Sequence, residues 1–303
     1  MEVGQMYIKV ATKTFNEEKF IDTFIQYYLD LGVAELHFFD SGSSDQTVAI
    51  IKHWRQKNPN VKLIISDPDL RHTSYSIETA VCNRVLQHAI QDTKECNHEC
   101  WWIFPDVDEF LRPPQQRLEN FLRNCPNTFI RCVFFEWYLS PEQFKTDLPI
   151  PQILAEARQG KLKGKLLHVL GDPFYKDFVI HFTPQTIQDF LSLRTIAGNH
   201  RYLLNDEVII PANVPFLTFD HLRGLSLEHI QKRVVRGMQL LEAQHQKRHD
   251  DWTFQHFSEI KEELDDYLNF YNNILLSYAE LEAKKLEIAN FDNSTSLYNI
   301  IVH

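Results

Sequence analysis

Glycine is scarce: 9 of 303 residues, against 22 phenylalanines. That excludes a flexible, low-complexity array and points to a packed aromatic core. No stretch reaches the roughly 18–20 apolar residues that would cross a bilayer. Met1 to Val10 lacks the apolar core of a secretory leader, so a cytoplasmic protein is expected. The net charge is −10, and no strongly basic block interrupts it. A nucleic-acid scaffold would need such a block, so that class is set aside. Five cysteines (Cys82, Cys96, Cys100, Cys125 and Cys132) form no even framework. Reduced thiols are expected. Cys96 to Cys100 has the spacing of a zinc half-site around His98, but no second ligand pair follows at suitable spacing.

What is present alternates. Tyr7–Thr12, Glu35–Phe39 and Val61–Ile65 read as strands, and the apolar run Trp101–Phe104 as a fourth. Between them, Phe20, Phe24, Tyr28 and Leu31 share one helical face, with Gly32 as its stop. Val48, Ile51 and Trp54 share a second, and Ile77, Val81 and Val85 a third. Asn16 reads as the first helix's N-cap, and Asp45 as the cap of the second. This order predicts an α/β fold: a mostly parallel sheet with helices on both faces. In such sheets the loops after the strands share one edge, where ligands bind.

Three of those loops carry polar residues: Asn16-Glu17, Asp40 to Asp45, and Asp106 to Glu109. Asp106 and Asp108 lie one residue apart at a strand end. They can approach one hard cation, Mn²⁺ or Mg²⁺, which would neutralise a diphosphate leaving group. Asp40 can accept hydrogen bonds from a base or ribose, or simply form an Asx-turn. His221 at a later strand end is a candidate third metal ligand, or a satisfied structural histidine. His200 is a candidate contact to phosphate or acceptor. Lys163 and Lys165 are candidate point charges for the diphosphate, or ordinary solvated loop residues.

Beyond Pro113-Pro114 a short helix is expected at Leu118–Leu122 and a strand at Thr128–Tyr138. Residues 139–175 read as irregular. Short strands are expected at Phe178–Phe182 and Phe216–Phe219. A C-terminal helical extension should start at Ser226 and continue in a long helix from about Ser258 to Ile288. Its stripe can pack internally or make a homodimer. The chain divides as residues 1–222 and 223–303, the first having a donor half (about 1–112) and an acceptor half (about 113–222).

Val10–Glu17, Phe38–Asp45 and Phe104–Phe110, in that order at strand ends, resemble the family-2-like glycosyltransferases with a D-x-D-E-F motif. The resemblance implies a GT-A (Rossmann-like) fold and a nucleotide-diphosphate sugar donor, a UDP-sugar being favoured. It implies that Thr12, Asn16, Glu17, Asp40, Ser41 and Asp106 line the nucleotide-sugar site, with Lys165 and His200 beside it. Asp106, Asp108 and His221 would hold the metal. Transfer would go with inversion to an unidentified hydroxyl on a glycan, lipid-linked or protein acceptor, assisted by a carboxylate base. Glu136 is the candidate base, with Glu109 a further catalytic candidate and Asp206 and Glu207 alternatives. The competing readings are a degenerate domain that binds without turnover and a metal-dependent phosphoesterase.

Overall fold

The computed structural model describes residues 6–67, 75–112, 117–167, 177–196, 201–225 and 267–285. Its first half follows the expected alternation. Strand β1 (Met6–Thr14) leads to α1 (Ile21–Asp30), β2 (Glu35–Asp40), α2 (Thr47–Lys57), β3 (Val61–Ser66), α3 (Tyr75–Cys96) and β4 (Glu99–Ile103). β1 pairs in parallel with both β2 and β4, and β2 with β3. Beyond β4 the sheet turns antiparallel. β8 (Asp177–Phe182) pairs with β4 on one side and with the start of β6 (Phe129–Tyr138) on the other. The full order is β3-β2-β1-β4-β8-β6-β12-β5, where β5 is Glu109–Arg112 and β12 is Ala212–Gly224. β7 (Lys163–Leu167) pairs with the second half of β6.

Two compact units share this chain, Met1–Cys132 with Gly171–Thr218, and Val133–Leu170 with Phe219–His303. In the first, the sheet is covered on both faces. On one, Phe24 of α1 meets Phe38 and Phe110 edge to face, and Phe24, Ile25 and Tyr28 are buried. On the other, Val81, Val85 and Ala89 of α3 cluster with Phe39, Trp102 and Phe104. β4 therefore needs apolar side chains pointing both ways, and Trp101 and Trp102 are adjacent and fully buried. Trp101 stacks on His181 at 4.3 Å, while the Trp102 indole N–H donates to Thr93 of α3 at 2.9 Å. Gly32 ends α1 with φ +89°, a left-handed stop that glycine adopts without strain.

Several sequence expectations need correction. Asn16 does not cap α1: Phe20 holds that position, and the carbonyl of Glu17 accepts from the amides of Phe20 and Ile21. Asn16 instead sits at φ +58° and turns to the next loop. Residues 139–175 are not irregular throughout, since they hold α5 (Ile150–Arg158) and β7 as well as a short 3₁₀ turn. Pro149 at its N-cap position explains where α5 starts. The long C-terminal helix is broken. A helical stretch at Tyr267–Asn269 widens to a π-turn at Phe270–Ile274 and then goes extended at Leu275. Leu276 bridges to Gly164, and helix resumes over 278–285. Backbone pairing with β7 outcompetes helical propensity there. The helix expected from Ser226 lies outside the described residues. No helix among the described residues is long and apolar enough to cross a membrane.

Candidate active site

The loops after β1, β2 and β4 lie at the carboxyl edge of the parallel strands, and their side chains knit them together. The first two are joined reciprocally. The Asn16 carboxamide oxygen accepts from the Ser44 amide at 2.8 Å, and the Asn16 amide donates to Ser43 Oγ at 2.9 Å. Glu17 N donates to Thr47 Oγ1 at 2.7 Å. Glu18 N donates to Asp45, and Glu18 in return accepts from Gln46 N. Asp45 also accepts from the Thr47 amide at 2.9 Å, so it does organise the start of α2.

Asp40 closes β2 and is 1% exposed. One oxygen accepts from the amides of Gly42 and Ser43, both at 3.0 Å, and from Ser66 Oγ at 3.1 Å. The other accepts from Ser43 Oγ and Thr14 Oγ1. The carboxylate is thus saturated by the loop it shapes. Ser41 beside it is equally buried, and its hydroxyl has no hydrogen-bond partner among the described residues.

The third loop carries the acids. Thr12 Oγ1 donates to the Pro105 carbonyl at 2.7 Å, tying it to β1. Lys13 stands 3.3 Å from Asp106. Glu109 is fully buried, and its carboxylate accepts from the Asp106 amide at 2.7 Å while its own amide donates to the Asp106 carbonyl. Tyr28 of α1 reaches under the loop: its hydroxyl donates to the Glu109 carbonyl at 3.0 Å and accepts from the Leu111 amide. Burial pushes that phenol well above its ordinary pKa, so it stays a donor. Glu109 is therefore the brace of the Asp106–Asp108 turn. Asp106 keeps 29% of its side chain exposed.

The second unit holds the remaining candidates. Asp220 and His221 lie within β12, which runs on to Gly224, not at a strand end as expected. Asp220 is fully buried, accepting from Trp137 Nε1 at 2.8 Å and from Arg158 Nε at 3.0 Å. Next to it, His221 Nδ1 lies 3.3 Å from Glu136 Oε1, and both are buried. Tyr138 donates to the other Glu136 oxygen at 3.2 Å. Lys165 lies over the Phe270 ring at 4.5 Å, and Lys163 donates to the carbonyls of Tyr271 and Asn272. These lysines clasp the C-terminal segment. Asp206 and Glu207 belong to a hairpin: Asn205 and Asp206 both have positive φ, as a tight turn between β10 (Arg201–Leu204) and β11 (Glu207–Val208) demands. Asp206 is exposed and paired with Arg194. His200 lies outside the described residues.

Cys96 and Cys100 stand 3.8 Å apart as free thiols, and His98 Nδ1 is engaged by the Cys96 carbonyl. Burial pushes the Cys100 thiol up to about 12, so it stays protonated.

Residues 5–148 match the family model of glycosyltransferase family 92. That is just under half of the chain, and it spans all three knitted loops. The match supports a glycosyltransferase that uses a nucleotide-sugar donor. It carries a different family label from the family-2-like resemblance; glycosyl transfer is what the two share. The layout is the α/β one expected, with a parallel half built from β1 to β4.

No curated protein matches the chain. Among solved structures, the mannosyltransferase PcManGT of Pyrobaculum calidifontis, in complex with GDP-Man and Mn²⁺, is 13% identical with TM-score 0.41, covering 93% of this chain and 74% of that one. S. aureus TarS 1–349 is 12% identical with TM-score 0.36, covering 88% and 72%. Glucosyl-3-phosphoglycerate synthase of Mycobacterium tuberculosis, in complex with Mn²⁺, UDP and glucosyl-3-phosphoglycerate, is 19% identical with TM-score 0.35, covering 78% and 79%. At TM-scores this low, nothing about donor, metal or acceptor in this chain is drawn from them.

Proposed function

We propose that the protein is a metal-dependent glycosyltransferase that moves a sugar from a nucleoside-diphosphate sugar to an acceptor hydroxyl, with inversion. One observation carries the reading. Three loops distant in sequence are hydrogen-bonded into one edge of the parallel strands, and the last presents Asp106 and Asp108 on a turn braced by buried Glu109. A brace of that cost is unneeded for a solvated acidic turn.

Carboxylate oxygens and an imidazole nitrogen are donors that suit a divalent cation. Asp106 and Asp108 would supply carboxylate oxygens, and His221 an imidazole nitrogen. Such an ion, Mn²⁺ or Mg²⁺, would neutralise charge on the departing diphosphate. Glu136 suits orientation of His221 better than proton abstraction. It is buried against Nδ1, which leaves Nε2 as the ligating nitrogen, in the manner of a carboxylate behind a metal-bound histidine. Asp40 and Asn16 would act by holding the loop that receives the nucleotide, and the unsatisfied Ser41 hydroxyl is a ready partner for a ligand atom. A UDP-sugar is the favoured donor. The stretch through residue 112 would form the donor half, and residues 113–222 the acceptor half.

The test is release of nucleoside diphosphate from a panel of nucleotide sugars with Mn²⁺, comparing the protein with Asp108→Ala. Metal-dependent release that falls by about 100-fold or more in the variant, the usual loss for one charge-stabilising group, is the expected result. Release of inorganic phosphate or nucleoside monophosphate would overturn it. Tight donor binding without release would favour a binding module.

A further inference from the structure

Away from the three loops, the α3-facing side of the sheet holds a second polar cluster. His37 lies in the middle of β2, three residues before Asp40, or roughly 10 Å along the strand. His88 and Asp92 lie four residues apart on α3, one turn above the other on the same face. One ligand atom from each of His37, His88 and Asp92 can be chosen so that all three lie within 4.8 Å of one another. His37 Nδ1 and His88 Nε2 are 2.7 Å apart. The far nitrogen of His37, Nε2, is 3.0 Å from Glu35 Oε2.

We propose that His37, His88 and Asp92 form a binding site for a zinc-class divalent cation, with Glu35 orienting His37. The geometry is close to that of a metal-bound pair. Two nitrogens each about 2.05 Å from a tetrahedral zinc stand roughly 3.3 Å apart. The imidazoles need to open by only about 0.6 Å. The Glu35 contact fixes the His37 proton on Nε2, which leaves the Nδ1 lone pair directed at His88. In the metal-free state His88 donates its Nε2 proton to that lone pair. Binding requires the His88 proton to move to Nδ1, after which both facing nitrogens are ligands and no proton is lost.

Burial holds both rings neutral, His88 down to about 4, and neutral imidazole is the form that ligates. Asp92 is 18% exposed and gives a path to solvent. Its Oδ2 accepts from Lys9, but a carboxylate has further lone pairs to offer. The surrounding charges balance: Lys9 and Lys62 against Asp92 and Glu35. A cation here would clamp β2 to α3, the strand and helix on which one wall of the fold rests.

The probes are Zn²⁺ and Co²⁺ added to chelator-treated Asp108→Ala protein, so that the loop site lacks one of its acids. One equivalent of Zn²⁺ binding by calorimetry and the visible d–d bands of a tetrahedral Co²⁺ centre are expected. His88→Gln should abolish the bands, and Glu35→Gln should weaken binding by about 10–100-fold. Should His88→Gln fail to fold, ring ¹⁵N spectra of the Asp108→Ala protein decide: His37 and His88 must both shift at one equivalent. Absence of binding, or binding that leaves both rings unmoved, overturns the proposal. None of these outcomes depends on whether the chain transfers sugar.

Discussion

Asp40 shows how much one buried carboxylate can organise. Its five hydrogen bonds come from two amides and three hydroxyls, all within the loop or the adjoining strands. Asp40→Ala should cost on the order of 3 kcal/mol, because several buried donors lose one shared acceptor. Urea unfolding measures this, and Asp40→Asn should cost less, since one oxygen is kept. Glu136 allows a sharper division. If it orients His221, Glu136→Gln raises the Mn²⁺ concentration needed for half-maximal rate by about 10–100-fold and leaves the rate at saturating metal within a few-fold. A rate that collapses at every Mn²⁺ concentration would instead restore Glu136 as the base. Neither role was legible in the sequence alone. Glu136 lies near the end of an apolar strand, and nothing in one dimension places His221 beside it.

At the scale of elements, β7 shows a constraint that composition hides. A Cβ on Gly164 would lie 2.5 Å from the Glu136 carbonyl, with Trp137 and Leu281 also too near. Backbone cannot yield as a side-chain tip can. Gly164→Ala should therefore lower stability by about 2 kcal/mol or more and displace Glu136. The readouts are thermal melting and, under the proposed function, the Mn²⁺ requirement. The same glycine accepts the bridge from Leu276 that breaks the C-terminal helix. Sequence periodicity carried helix straight through that point, because Leu264, Leu268, Tyr271, Leu275 and Tyr278 keep a helical stripe. A single strand pairing overrode it. The parallel strands were easier to read. β2 and β4 are short apolar runs bounded by turn residues, and burial on both faces leaves them little other choice.

For the whole molecule, the proposed function has a thermodynamic consequence. A nucleotide sugar that binds the folded chain and not the unfolded one stabilises it by mass action. At 100 times its Kd, with saturating Mn²⁺, the donor should add about 2.7 kcal/mol. Thermal melts in the presence of the correct donor should shift upward. The wrong donor, or omission of metal, should leave the melt close to that of the free protein. The shift identifies the donor before any acceptor is known.

The alternation of strand and helix, the doubly buried β4 and the acids at its end were determined by the sequence itself. Each rests on local periodicity or on a short run of residues. The motif order at strand ends was also legible, and it led to glycosyl transfer. Only the tertiary structure decided what each acid touches. Asp40 is consumed by its own loop, Glu109 braces the turn, and Glu136 faces His221. His37 and His88, 51 residues apart, meet only because α3 crosses back over β2. The i, i+4 spacing of His88 and Asp92 was a visible hint. Its partner on the strand was not, since a hydrogen bond or a metal site depends on distances that the chain acquires only when it folds.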